Sequence, residues 1–205
     1  MEIEAKYRVT DPAIFSDLLA QTTCDQYALV PRSAPEQQHN TYLDTHDRRL
    51  SAQNWGLRIR DYGERRVATL KGRATMSDGV AYRIELETPV GNEIQPTAWP
   101  PSALRDRVLA LIDDAILEPI LTIITQRHVI DVFSTDQRFA EICLDQGRFQ
   151  LVQRVVPFCE LEVELTTNEA LTDFAALCDL IKQRYQLEVE EQSKLARGLA
   201  LAAGE

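Results

Sequence analysis

The sequence predicts an α+β protein, and three observations carry the prediction. Runs with strict alternation of charged and apolar residues recur along the chain. Between them lie stretches whose apolar residues fall at helical spacing. No internal repeat, low-complexity segment or long linker divides the 205 residues, so one domain is expected. Strand runs of this kind pair antiparallel, with helices covering the apolar side of the sheet.

The first strand spans the N-terminus: Glu2, Glu4, Lys6 and Arg8 share one face, and Ile3, Ala5, Tyr7 and Val9 share the other. Asp11-Pro12 then reads as a helix cap followed by proline in the first turn, with Ile14, Phe15, Leu18 and Leu19 as the apolar stripe. From Cys24 to Gln38, Pro31 and Pro35 predict loop with at most one short strand. Strands are predicted at Asn40–Asp44, Gly56–Asp61, Arg65–Lys71 and Val80–Thr88, separated by Gly, Asp and Ser turn chemistry. Prolines 89, 96, 100 and 101 interrupt, and Ser102 caps a helix striped by Leu104, Val108 and Leu111. Further strands are expected over Ile120–Val132, Phe139–Asp145 and Val156–Thr167. Asn168 is the expected cap of a helix bearing Leu171, Phe174, Cys178, Ile181 and Tyr185, and a last helix runs from Ser193 to about Ala203.

Composition narrows the class. With 44% hydrophobic residues the chain can bury a core, and a net charge of −10 argues against a general nucleic-acid binder. No charged-then-apolar leader or long apolar stretch is present, so a cytoplasmic location without membrane association is expected. The four cysteines lack metal or disulfide spacing and are expected as free, buried thiols. His39, His46 and His128 lack ligand spacing, and no phosphate-cradling glycine motif occurs. Oligomeric state has no signature.

The charged strand faces carry the chemistry. The basic set is Lys6, Arg8, Arg58, Arg60, Lys71, Arg83, Arg127 and Lys194. The acidic set is Glu2, Glu4, Glu85, Glu87, Glu141, Asp145, Glu160, Glu162 and Glu164. Guanidinium forks suit phosphate oxygens, and carboxylates suit magnesium or manganese, so the two sets together describe a site for metal-bound polyphosphate. Taken singly, Arg58-Ile59-Arg60 is more commonly a solvated outer face. Glu160, Glu162 and Glu164 repel one another on one strand and need cations, which a purely structural ladder of neighbouring arginines could also supply.

These motifs also resemble a known family in their order. Glu2, Glu4 and Lys6 form E-x-E-x-K, followed by Y-L-D-T at Tyr42–Thr45, L-R-I-R at Leu57–Arg60 and T-L-K-G at Thr69–Gly72. R-x-E-x-E at Arg83–Glu87, Arg127, Leu144-Asp145, E-L-E-V-E at Glu160–Glu164 and S-K-x-x-R-G at Ser193–Gly198 complete the set. The series resembles the CYTH domain, or triphosphate tunnel metalloenzyme, family and is most similar to its bacterial inorganic triphosphatases.

The resemblance implies an eight-stranded antiparallel β-barrel-like tunnel with flanking helices, across residues 1–205. It implies phosphate binding by Lys6, Arg58, Arg60, Lys71, Arg83, Arg127 and Lys194, to which the charged face of the first strand adds Arg8. Magnesium or manganese would be held by Glu2, Glu4, Glu162 and Glu164, with Glu85, Glu87, Asp145 and Glu160 in the same network. The expected catalytic set is Glu2, Glu4, Lys6, Arg58, Arg60, Glu162 and Glu164. The expected reaction is hydrolysis of triphosphate to pyrophosphate and phosphate. The family's alternatives are thiamine or nucleoside triphosphate hydrolysis, adenylate cyclisation, and a non-catalytic polyphosphate-binding module. Some relatives place a lysine two residues before Arg127; here that position is Thr125. Cyclase members carry Gly-Leu-Gly after the late aspartate, where this chain has Gln146-Gly147-Arg148. In many relatives a helical CHAD domain, associated with polyphosphate, follows, so the chain is either a stand-alone domain or the N-terminal part of a longer one. Beyond Tyr42, no inward aromatic platform is expected, and Trp55 and Trp99 are read as gap fillers.

Overall fold

Strands with one charged and one apolar face must choose sides. The computed structural model, which describes residues 1–204, shows what that choice builds. β1 (Glu2–Arg8) and α1 (Ala13–Ala20) form as predicted, though Pro12 occupies the cap position and Asp11 accepts from the Ala13 N–H at 2.9 Å. The stretch expected as loop after Cys24 is mostly strand: β2 (Thr23–Cys24), β3 (Tyr27–Pro31) and the start of β4 (Glu36–Thr45). Its prolines sit at the end of β3 and in the connection, where no ladder donor is lost. α2 (Arg49–Ala52) is a single turn without a sequence period, organised by the buried Asp44 carboxylate, which accepts from the Leu50 and Ser51 N–H groups.

β5 (Gly56–Asp61) matches its predicted span, and β6 (Arg66–Lys71) begins one residue later than predicted. The next predicted strand is corrected: it breaks at Ile84 into β8 (Val80–Arg83) and β9 (Glu85–Val90), and a short β7 (Thr75–Ser77) pairs with β8. Ser102 caps α3 (Ala103–Ile112) by accepting from the Arg105 N–H. β10 (Leu117–Ser134) and β11 (Gln137–Gln150) outrun their predicted ends, and β12 (Val155–Leu165) follows. Asn168 does not cap α4 (Leu171–Tyr185); it opens a 3-10 turn over Asn168–Ala170 that leads into the helix. β13 (Glu188–Val189) pairs with β1; α5 (Lys194–Ala203) starts one residue later than predicted, with Ser193 as its cap. No helix among the described residues is long and apolar enough to cross a membrane.

The thirteen strands form one sheet in the order β7-β8-β1-β12-β11-β10-β4-β5-β6-β9, with β13, β2 and β3 attached at its side. All pairings are antiparallel. The hydrogen-bonded ladder does not close, but the chain does: β8 pairs β1, β9 pairs β6, and only Ile84 separates them. Counting β8 and β9 as one run, and setting aside β7, which pairs only with β8, leaves eight strands around the ring. Across the seam the Gly72 N–H donates to the Ile84 carbonyl at 2.9 Å, and Lys71 of β6 reaches Glu2 of β1 at 2.6 Å.

The apolar faces point outward, under helices. Ile3, Ala5 and Tyr7 of β1, with Ile142, Leu144, Leu161 and Val163, pack beneath Phe15 and Leu18 of α1 and Phe174, Leu177 and Ile181 of α4. Leu43, Leu57, Ile59, Ala68 and Leu70 pack beneath Leu50 and the Leu104, Val108 and Ile112 stripe of α3. Hydrophobic burial thus lies outside the ring, leaving the charged faces to meet within it. One inner stretch is apolar: Tyr42, Leu121, Ile123 and Phe149 receive Leu195 and Leu201 of α5.

Candidate active site

Register decides which charges meet. On β1 and β12, Glu4 lies opposite Glu164 and Lys6 opposite Glu162. On β10 and β11, Arg127 lies opposite Asp145. On the other half of the ring, Tyr42 is opposite Arg58, Arg58 opposite Thr69, and Lys71 opposite Glu85. Like-charged neighbours such as Glu4 and Glu164 are tolerable only where cations intervene. These faces surround a cavity of about 670 Å³ lined by charged residues of nearly every ring strand and by the first turns of α5.

The cations fall into two groups. Arg127, Arg83 and Lys194 are saturated with carboxylates. Arg127 holds Asp145 through two bonds of 2.7 Å and also contacts Glu162 and Glu164. Arg83 binds Glu2 and Glu4, the latter at 2.6 Å. Lys194 contacts Asp145 at 2.9 Å, Glu162 at 2.7 Å, and Glu160. Arg58 and Arg60 have only neutral partners. Arg58 donates to the Thr69 hydroxyl at 3.3 Å, and its buried Nε has no acceptor. Arg60 donates to the Asn40 side-chain oxygen at 2.8 Å and to the Tyr62 hydroxyl at 3.3 Å. Burial, then the like charges of Arg58 and Arg127, pull the Arg60 guanidinium below its usual value. Two guanidinium groups, Arg58 buried and Arg60 half-buried, with no carboxylate at ion-pair distance form a receptor for an oxyanion.

The carboxylates show the complementary imbalance. One oxygen each from Glu4, Glu162 and Glu164 lies within 4.8 Å of the others, on the cavity wall. Burial and then the neighbouring Glu162 raise the Glu4 carboxyl. Burial likewise raises Glu164, against the pull of Arg127. Glu162 is held well below the usual range, because Lys194 and Arg127 outweigh its burial. Three hard oxygen donors with two under-compensated charges fit a magnesium- or manganese-sized cation.

The family model for the CYTH domain matches residues 1–199. The chain belongs to the CYTH family. Among solved structures it is similar to a candidate adenylyl cyclase from Hippeastrum in which triphosphatase activity is dominant. The two are 22% identical, with a TM-score of 0.70, covering 98% of this chain and 96% of that one. A candidate adenylate cyclase from Bacillus halodurans is 23% identical at a TM-score of 0.65, covering 96% of each chain. The mimivirus capping-enzyme triphosphatase is 11% identical at a TM-score of 0.50, covering 88% of this chain and 89% of that one. These likenesses establish the CYTH tunnel fold, in agreement with the ring of strands.

Within that CYTH fold, Glu2, Glu4, Lys6, Arg58, Arg60, Lys71, Arg83, Glu85, Glu87, Arg127, Glu141, Glu162, Glu164 and Lys194 all line the cavity. Three expected residues do not. Arg8 lies beyond the cavity end of β1, 57% exposed and paired with Glu190 at 3.0 Å. Asp145 and Glu160 are buried behind Lys194, because their place in the register falls where α5 covers the sheet. Thr125 is buried off the cavity wall. The four cysteines are free; three are buried, Cys159 is half-buried, and Cys143 faces the cavity.

The structure corrects the expectation of a single inward aromatic. Trp55 and Tyr62 join Tyr42 on the wall. Tyr62 has the same parity as Arg58 and Arg60, so alternation alone contained that signal, as it did for Thr69 beside Lys71. Trp55 precedes its strand and had no such signal. Both rings are already faced by guanidinium groups: Arg65 lies 4.5 Å from the Tyr62 centroid and Arg107 5.0 Å from that of Trp55.

Proposed function

We propose that this protein is a phosphoanhydride hydrolase that cleaves inorganic triphosphate to pyrophosphate and phosphate in the cytoplasm, using magnesium or manganese. The observation that carries the reading is the juxtaposition, in one cavity, of Arg58 and Arg60 without a carboxylate partner and a Glu4–Glu162–Glu164 oxygen cluster in which Glu4 and Glu164 are under-compensated. Each half lacks what a metal–triphosphate complex would bring.

Glu4, Glu162 and Glu164, with Glu2 beside them, would hold the divalent ion. Bound there, that ion would neutralise phosphate charge and lower the pKa of an attacking water. Arg58 and Arg60 bind and orient phosphate oxygens through their guanidinium forks, and Lys6, Lys71 and Arg83 extend the positive field around them. Lys6 is poised to do so: its ammonium donates to the Gln192 carbonyl at 3.1 Å and stands 4.0 Å from Glu4. Burial of these groups strengthens their pull on charge developing during transfer. Phosphoryl transfer needs such positioning more than a protein nucleophile, so the absence of a suitable Ser, Cys or His is no obstacle.

Trp55 and Tyr62 favour a second reading, hydrolysis of a triphosphate bearing an organic group, thiamine or nucleoside. The inorganic substrate is preferred because arginines already face both rings, leaving less free aromatic surface for stacking.

A phosphate-release assay separates the readings. Tripolyphosphate, pyrophosphate, ATP and thiamine triphosphate are each supplied with magnesium, with manganese or with excess chelator. Tripolyphosphate with metal is expected to be cleaved with the highest kcat/KM, and chelator to abolish turnover. A higher kcat/KM for an organic triphosphate, or cyclic AMP from ATP, would replace the proposal. Binding without any turnover would make the protein a polyphosphate-binding module.

A further inference from the structure

We propose that Arg197 is a positioning residue, which grips Glu160 behind the cavity so that Lys194 stays bridged to Glu162 and faces the substrate. The inference rests on the triphosphate reading of the cavity. Lys194 and Arg197 stand three residues apart on α5 and so share one helix face. Lys194 lines the cavity; Arg197 does not.

Their partners form an unbroken chain of alternating charge. Arg197 binds one oxygen of Glu160, and Lys194 binds the other. Lys194 also takes one oxygen of Glu162 at 2.7 Å, while Arg127 takes the second. Each carboxylate is thereby shared by two cations. Glu160 is fully buried, so its charge is tolerable only while both oxygens are paired.

Arg197 is itself held in place. Its guanidinium lies 5.8 Å from the Phe149 ring centroid and 5.6 Å from that of Phe158, and it reaches Glu190 at 3.4 Å. The helix comes this close because residue 198 is glycine: a Cβ there would stand 2.3 Å from Leu121 Cδ2. Without Arg197, one Glu160 oxygen would be left unpaired in full burial. Lys194 is the other cation on Glu160, and the loss would draw it onto both Glu160 oxygens and away from Glu162.

Two measurements on Arg197→Met, Glu160→Gln and the double variant test this. The first needs no substrate: the Lys194 ammonium resonance in nitrogen-detected NMR, identified by its loss in Lys194→Gln. It should shift in Arg197→Met and return towards its original position in the double variant. The second is tripolyphosphate hydrolysis, where KM should rise about tenfold in Arg197→Met and largely recover in the double variant. If Arg197→Met does not fold, the double variant is compared with Glu160→Gln alone. With Glu160 neutral, losing Arg197 should then change KM by less than about threefold. An unmoved resonance, an unchanged KM in a folded Arg197→Met, or a tenfold loss in the Glu160→Gln background would each overturn the proposal. If the unsubstituted protein cleaves no tripolyphosphate while the resonance shifts and returns, the triphosphate reading falls and the hold of Arg197 on Lys194 stands.

Discussion

Arg58 and Arg60 stand in the cavity with neutral hydrogen-bond partners only, whereas Arg83, Arg127 and Lys194 spend their charge on carboxylates. The first pair is therefore the more sensitive to substitution by binding assay. Arg58→Ala and Arg60→Ala should each weaken tripolyphosphate binding and turnover by roughly ten- to a hundredfold, on the order of 1.5–3 kcal/mol for a lost charge-assisted contact. Arg184 on the outer helix α4 is exposed, and Arg184→Ala should change kcat/KM by less than about twofold. Equal losses in all three variants would point to the protein's overall field instead of this cavity. Most inward residues were legible because facing is a matter of parity in a strand: Glu2, Glu4 and Lys6 come together for the same reason as Arg58 and Arg60. Parity does not say where along a strand the cavity ends. Arg8, Asp145 and Glu160 share the inward face and yet lie beyond or behind it.

At the scale of elements, α5 fits closely against the sheet. It meets the sheet at its own Gly198, and a second glycine lies in the sheet itself. At Gly147 of β11, a Cβ would stand 2.4 Å from the Phe158 ring and 2.9 Å from the Ile124 carbonyl oxygen. Neither neighbour can yield easily, since one is backbone and the other packs against Phe149 with centroids 4.8 Å apart. Gly147→Ala should therefore destabilise the fold by about 1–3 kcal/mol, read as a lower urea midpoint with an unchanged m-value. A midpoint equal to that of the unsubstituted protein would mean the ring shifts without cost. Strands with long alternation and helices with capped stripes were legible in advance. β7, β13 and α2 were not, because two to four residues carry no period. The break at Ile84 was hidden for the opposite reason: alternation continues through it, and only the change of partner reveals it.

The whole molecule closes its ring with charge as well as chain, and this makes acid its natural weak point. Glu2 bridges β6 and β8 through Lys71 and Arg83, and these cations, outweighing burial, hold its carboxyl at about 2. A carboxyl depressed in the folded state contributes stability above its unfolded value of 4.5 and loses that contribution as pH falls towards about 2. The stability difference between the unsubstituted protein and Glu2→Gln should thus be large near neutrality and shrink in urea melts at about pH 3. A difference that stays constant with pH would show that Glu2 acts through packing alone. Ile84 bears on the same closure in another way. It is a single outward step, 58% exposed, between Arg83 and Glu85, which both face in. Being one residue long, it preserves the count that keeps Glu85 and Glu87 on the inner side while the strand trades one neighbour for another. A hinge of two residues would have turned both glutamates outward and brought Leu86 into the cavity. The electrostatics of the interior therefore hang on an integer: the seam has odd length, and evolution can change its side chain far more freely than its size.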